Sequence, residues 1–108
     1  MAFGRALVNV PRTAKPGEIV EIRALIQHAM ETGFRPMPNG GMYPRLIINR
    51  FECVYDGAVV FAADLHPAIA ANPYIAFRTV ATRSGELLFR WIDDRGEVRE
   101  ERATITVT

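Results

Sequence analysis

Cysteine is almost absent from this chain. Cys53 is the only one in 108 residues, so no internal disulfide framework exists. Long apolar runs are missing too: none approaches the roughly 18 residues of a membrane-spanning helix, and no secretory hydrophobic stretch follows Met1. Net charge is only +1, which removes any bulk electrostatic pull toward nucleic acid or an anionic membrane. Residues 1–54 hold seven basic and four acidic side chains, and residues 55–108 hold six and eight, a mild asymmetry and no basic stripe. Internal repeats, low-complexity tracts and a domain linker are also lacking. With 49% hydrophobic and 23% charged residues, the chain has a globular composition and the length of one domain. Composition taken alone points to the cytoplasm.

No segment keeps a helical period. What the chain has instead is short alternating runs between turn signals. Ala6 to Val10 is a first strand. Glu18 to Gln27 is clearer, with Val20, Ile22, Ala24 and Ile26 on one face and Glu21, Arg23 and Gln27 on the other. Leu46 to Tyr55 alternates similarly and meets Ala58 to Asp64 across Asp56-Gly57, a pair suited to a tight hairpin turn. A loop from Leu65 to Pro73 leads to Tyr74–Thr82 and Glu86–Ile92, turned at Arg83-Ser84-Gly85. Asp93-Asp94-Arg95-Gly96 then turns into Glu97–Thr108. About seven such strands predict an all-β, immunoglobulin-like antiparallel β-sandwich spanning residues 1–108, with residues 1–17 as an extended lead-in able to pair with a neighbour. Apolar residues that break the alternation (Leu25, Leu46, Ile48 and Leu88) call for a second packed sheet or a protein interface.

The unusual stretch is the loop from Gln27 to Pro44, rich in proline and glycine. A long loop in so small a domain generally has a job or is disordered. Met30, Phe34, Met37 and Tyr43 argue against disorder, because large apolar side chains need something to cover them.

Chemical motifs are sparse. Cys53 as a nucleophile would need exposure and nearby positive charge; its place between Phe51 and Tyr55 predicts an inert core thiol. His28 and His66, with Met30, Met37, Met42, Glu31 and Asp64, offer copper-type donors but no recognisable ligand spacing. Asp93 and Asp94 read as a solvated turn and not as an acid–base pair. Ser84 has no histidine near it in sequence, and Asn39-Gly40-Gly41 opens no helix, as a phosphate loop would. No catalytic residue, metal or cofactor is expected.

Two blocks carry a resemblance: Gln27-His-Ala-Met-Glu-Thr-Gly-Phe-Arg35, and Ile48-Asn-Arg-Phe-Glu-Cys-Val-Tyr-Asp-Gly57. Together with Val60–Asp64, Ala71–Tyr74 and the Gly85–Gly96 hairpin, they make the chain resemble the SoxZ family from about Glu18 to Val107. The family usually has His-Pro where this chain has His28-Ala29. It also tends to have an aromatic plus a serine or threonine near Leu65-His66.

The resemblance implies a sandwich fold and a non-catalytic role in bacterial sulfur oxidation. In that role the chain binds a SoxY-like partner whose terminal cysteine, on a glycine-rich arm, carries intermediates of thiosulfate oxidation. It also implies a periplasmic location, reached by export with a signal-bearing partner. The sequence ends at Thr106-Val-Thr108 without a glycine-flanked cysteine, so a scaffold and not the carrier is expected. A permanent interface of roughly 2,000 Å² or more is expected for such a pair. The expected apolar contributors are Met30, Phe34, Tyr43, Pro44, Leu46 and Ile48; His28, Glu31, Thr32 and Arg35 are expected to orient the loop or bond across the interface. Arg35 and Arg45 could also favour an anionic sulfur group on the partner. Two other readings stay open at this point. One is a small redox or metal-binding sandwich using Cys53, His28 and His66; the other is a free-standing interaction module.

Overall fold

The computed structural model describes residues 3–66 and 72–108. The loop predicted from Leu65 to Pro73 therefore lies partly outside the described residues, as do Ala71 of the resemblance and the first two residues of the lead-in.

The described residues form eight strands and no helix: β1 (Phe3–Asn9), β2 (Thr13–Ala14), β3 (Ile19–His28), β4 (Ile48–Tyr55), β5 (Ala58–Asp64), β6 (Tyr74–Val80), β7 (Gly85–Asp93) and β8 (Val98–Val107). They make a three-stranded sheet in the order β1-β3-β6 and a five-stranded sheet in the order β2-β8-β7-β4-β5. This is the immunoglobulin-like sandwich that the strand pattern predicts, with two differences. The lead-in pairs within the chain: β1 runs antiparallel to β3, and β2 runs beside β8. That β2–β8 contact is parallel, so the sheets are not purely antiparallel.

Period-two alternation sets the core. In β3, Val20, Ile22, Ala24 and Ile26 are buried while Glu21, Arg23 and Gln27 are exposed. Phe51 of β4 is the hub, with its ring centroid 5.3 Å from that of Trp91, 6.1 Å from Phe61, 6.3 Å from Phe89 and 6.4 Å from Phe77. Phe61 and Phe77 stack at 4.5 Å, closing the sandwich between β5 and β6. Each such ring is worth about 1.5–3 kcal/mol of burial.

Ile47 and Ile48 are both buried because pairing with β7 slips between Ile48 and Arg50. That bulge, and not an interface, accounts for the broken alternation there. Leu25 and Leu88 lie half-buried on the outer faces. The β4–β5 turn is as predicted: Asp56 and Gly57 have φ of 51° and 82°, the left-handed pair that a tight hairpin demands.

Candidate functional site

Between β3 and β4 the chain leaves the sandwich and returns as an ordered arm. Its rungs are backbone hydrogen bonds. Glu31 N–H donates to Leu46 O at 2.6 Å, and Leu46 N–H returns to Glu31 O at 2.7 Å. Tyr43 N–H donates to Arg35 O at 3.0 Å and Met37 N–H to Gly41 O at 2.9 Å. Gly40 and Gly41 turn the tip with φ of 91° and 80°. Gly33 is needed for two reasons: its φ is +87°, and a Cβ there would sit 3.0 Å from Arg45 Cβ.

Polar side chains lock this shape. The Arg35 guanidinium holds Glu31 Oε1 through Nε at 3.0 Å and a second nitrogen at 2.6 Å, and lies 3.7 Å from the Tyr43 ring centroid. The hydrogen bond from Arg35 lowers the Glu31 carboxyl below its ordinary range. Thr32 Oγ1 accepts Phe34 N–H at 3.2 Å. The apolar groups are turned the other way: Phe34 is 76% exposed and Met42 58%.

The root of the arm is tied to the β7–β8 turn. Asp94 accepts hydrogen bonds from Arg45 Nε (2.8 Å) and a second guanidinium nitrogen (2.9 Å), from Asn49 Nδ2 (3.0 Å), and from Ile47 N–H (3.1 Å). Burial alone would raise this carboxyl. Its hydrogen bonds from Arg45, Asn49 and Ile47, with the Arg45 charge, together outweigh that and hold it low. Asp93 is fully buried. It accepts Arg95 N–H at 2.9 Å and Glu97 N–H at 3.0 Å, and faces His28 Nε2 at 3.3 Å. His28 Nδ1, the other ring nitrogen, has no hydrogen-bond partner among the described residues.

Several expectations change here. His28 and Ile48, expected at a partner interface, turn into this domain's own interior, at 4% and 0% exposure. His28 is the end of β3 and clamps Asp93; Ile48 opens β4 in the core. Met30 is only half available, since it packs on the core and its Sδ accepts Ile48 N–H at 3.3 Å. Asp93 is a buried clip and not part of a solvated tip. Arg35 and Arg45 are engaged by Glu31 and Asp94, so neither offers an uncommitted charge to an anion. Glu31, Thr32, Phe34, Arg35, Tyr43, Pro44 and Leu46 do come together on the arm; Tyr43 and Leu46 are half-buried and Pro44 is exposed. Met42, exposed beside its bridge partner Pro36, belongs with them and was missed. The hint was its place two residues before the proline that leads into β4.

The redox donors are not assembled. Cys53 is fully buried, and burial pushes its thiol up to about 12. His66 is exposed while His28 is interior. No group of three or more His, Cys, Asp or Glu among the described residues is placed to hold a metal ion.

Comparison with known proteins accords with this fold. Superoxide reductase (neelaredoxin) from Ignicoccus hospitalis superposes with a TM-score of 0.70 at 17% identity, over 98% of this chain and 82% of its own. A putative superoxide reductase from Thermotoga maritima gives 0.65 at 17%, over 95% and 85%. The sulfur carrier protein SoxY from Chlorobium limicola f thiosulfatophilum gives 0.66 at 13%, over 95% and 78%. At these identities the likeness establishes the sandwich and nothing finer. No curated protein sequence matches the chain. Family comparison is decisive where the superpositions are not: the description "Sulphur oxidation protein SoxZ" matches residues 8–104, nearly the full length, and the chain belongs to that family.

Proposed function

We infer that this protein is the non-catalytic subunit of a SoxYZ-type sulfur carrier, and that its arm binds a SoxY-like partner. The observation that carries this reading is the arm itself: a preordered hairpin whose polar groups pair internally while Phe34 and Met42 face solvent. An ordered segment with an exposed aromatic loses little entropy on docking and has the character of an interface hot spot. Phe34, Met42 and Pro44 are the contact residues. Glu31, Thr32 and Arg35 hold them in place; Tyr43 and Leu46 brace the arm and offer their exposed edges. The partner brings the sulfur-bearing cysteine, since this chain's single thiol is interior and protonated. The working compartment in this reading is the periplasm, reached together with a signal-bearing partner.

Co-expression with a SoxY-like protein, followed by light scattering, tests the reading. A stable heteromeric complex is expected, and two separate proteins at micromolar concentration would overturn it. Phe34→Asp should abolish the complex without changing the melting temperature of the isolated chain, because the charge must be desolvated only on docking. Fractionation of cells with and without the signal-bearing partner checks the location: periplasmic recovery should require the partner.

A further inference from the structure

We propose that His28 is a positioning residue for the docking arm: through Asp93 it fixes the direction in which the arm leaves the sandwich, while staying buried itself.

The arm has two roots, one leaving β3 after His28 and one entering β4 at Ile48. A single turn, between β7 and β8, holds both, and two neighbouring aspartates divide the work. Asp94 ties the returning root. Its carboxylate accepts hydrogen bonds from Arg45 and from Ile47 N–H, and its own N–H donates to Ile47 O at 2.9 Å. Asp93 meets the departing root. One of its oxygens, Oδ1, serves the turn itself by accepting Arg95 N–H and Glu97 N–H. The other, Oδ2, has one polar neighbour among the described residues, His28 Nε2. Among those residues it is also the one side-chain hydrogen bond between β3 and the turn.

Both side chains are closed off from solvent. Phe3, paired with His28 across β1 and β3, sets its ring edge-on to the imidazole with centroids 4.7 Å apart. The ring is therefore held in place on one side and aimed at Asp93 on the other. A buried carboxyl oxygen left without a partner is costly. Without the ring nitrogen, the turn satisfies Oδ2 by opening toward water. Asp94 is the next residue and moves with it, which displaces the clip on Arg45 and Ile47. The rungs farther out, Tyr43 to Arg35 and Met37 to Gly41, do not involve the turn and stay closed. The arm remains a hairpin but loses its set direction. For docking, which rests on the reading above, the partner then meets a correctly aimed arm only part of the time, and apparent affinity falls by that fraction.

Spin labels on the full chain measure the direction without a partner. Asn39→Cys at the tip and Thr104→Cys on β8 put labels at exposed positions, while Cys53 is fully buried and stays unlabelled. Double electron–electron resonance should give one narrow distance distribution when His28 is present. His28→Leu removes the ring nitrogen at similar volume and should broaden or shift that distribution. His28→Gln, whose amide group has a similar reach, should restore it. The double variant His28→Leu with Asp93→Asn keeps an oxygen for the turn and leaves no carboxyl without a partner; it decides the matter should the single variant not fold, and its distribution should be broad as well. Slow amide exchange at Phe51 and Cys53 identifies the folded variants. A folded leucine variant with the narrow distribution of the unmodified chain, or no restoration by glutamine, would overturn the proposal. Affinity for a SoxY-like protein should be about tenfold weaker in the leucine variant, as for an arm correctly aimed about one-tenth of the time. Equal affinity despite a broadened distribution would overturn the role in docking. Failure of the unmodified chain to bind that protein would overturn the docking reading, and the distances would still decide whether His28 aims the arm.

Discussion

The sandwich and the arm are built with opposite polarity. In the sandwich, Phe51, Phe89 and Trp91 fill the interior, and ion pairs lie outside. Glu52, Arg90 and Glu100 form a ladder across the outer face of the five-stranded sheet, extended by Arg50 and Arg102. In the arm the Glu31–Arg35 ion pair and the hydrogen bonds to Asp94 form the framework, and the aromatic Phe34 faces solvent. Apolar burial therefore fixes the body, while directional polar contacts fix the arm. In the arm that arrangement leaves Phe34 and Met42 on the surface.

Phe51→Ala tests the body. Loss of the hub ring should cost about 3–5 kcal/mol, read as a large fall in denaturant midpoint, and the arm should melt with everything else. Asp94→Ala tests the arm. It strands the Ile47 N–H and the Asn49 amide and should cost about 1–3 kcal/mol, with faster amide exchange from Glu31 to Leu46 and an intact core signal. An equal loss of core protection would mean that arm and body are one cooperative unit.

Acid should separate the two regions more gently. Asp94 lies below its ordinary value of 3.8 when folded, so its contribution is present above that value and is lost as pH falls through the lower folded one. Glu31 has the same sign. Below about pH 4 the arm should loosen before the sandwich does; amide exchange at Ile47 against Cys53 reads the order. Phe34→Ala should have the smallest effect on stability, within about 0.5 kcal/mol, although it removes the most exposed of the large apolar side chains among the described residues. A greater loss would place the ring in this protein's own packing.

Much of the sandwich was legible because a strand's alternation is a local property. The faces of β3 and the turn at Asp56-Gly57 needed no tertiary information. The order of the arm was recognisable, through its large apolar residues set among prolines and glycines. What could not be read was orientation. His28 and Phe34 sit six positions apart in one loop-like run, and only the meeting of His28 with Asp93, 65 residues away, turns one inward and leaves the other out. The bulge between Ile48 and Arg50 was equally hidden, because a slipped register depends on the neighbouring strand. Asp93 and Asp94 looked alike in a turn, but the ends of two sheets give them separate jobs.

The interior setting of Cys53 has a consequence for any chemistry nearby. A fully buried thiol whose pKa is pushed up to about 12 is a spectator to electrophilic sulfur. An electrophilic sulfur compound would therefore find no accessible thiol on this chain.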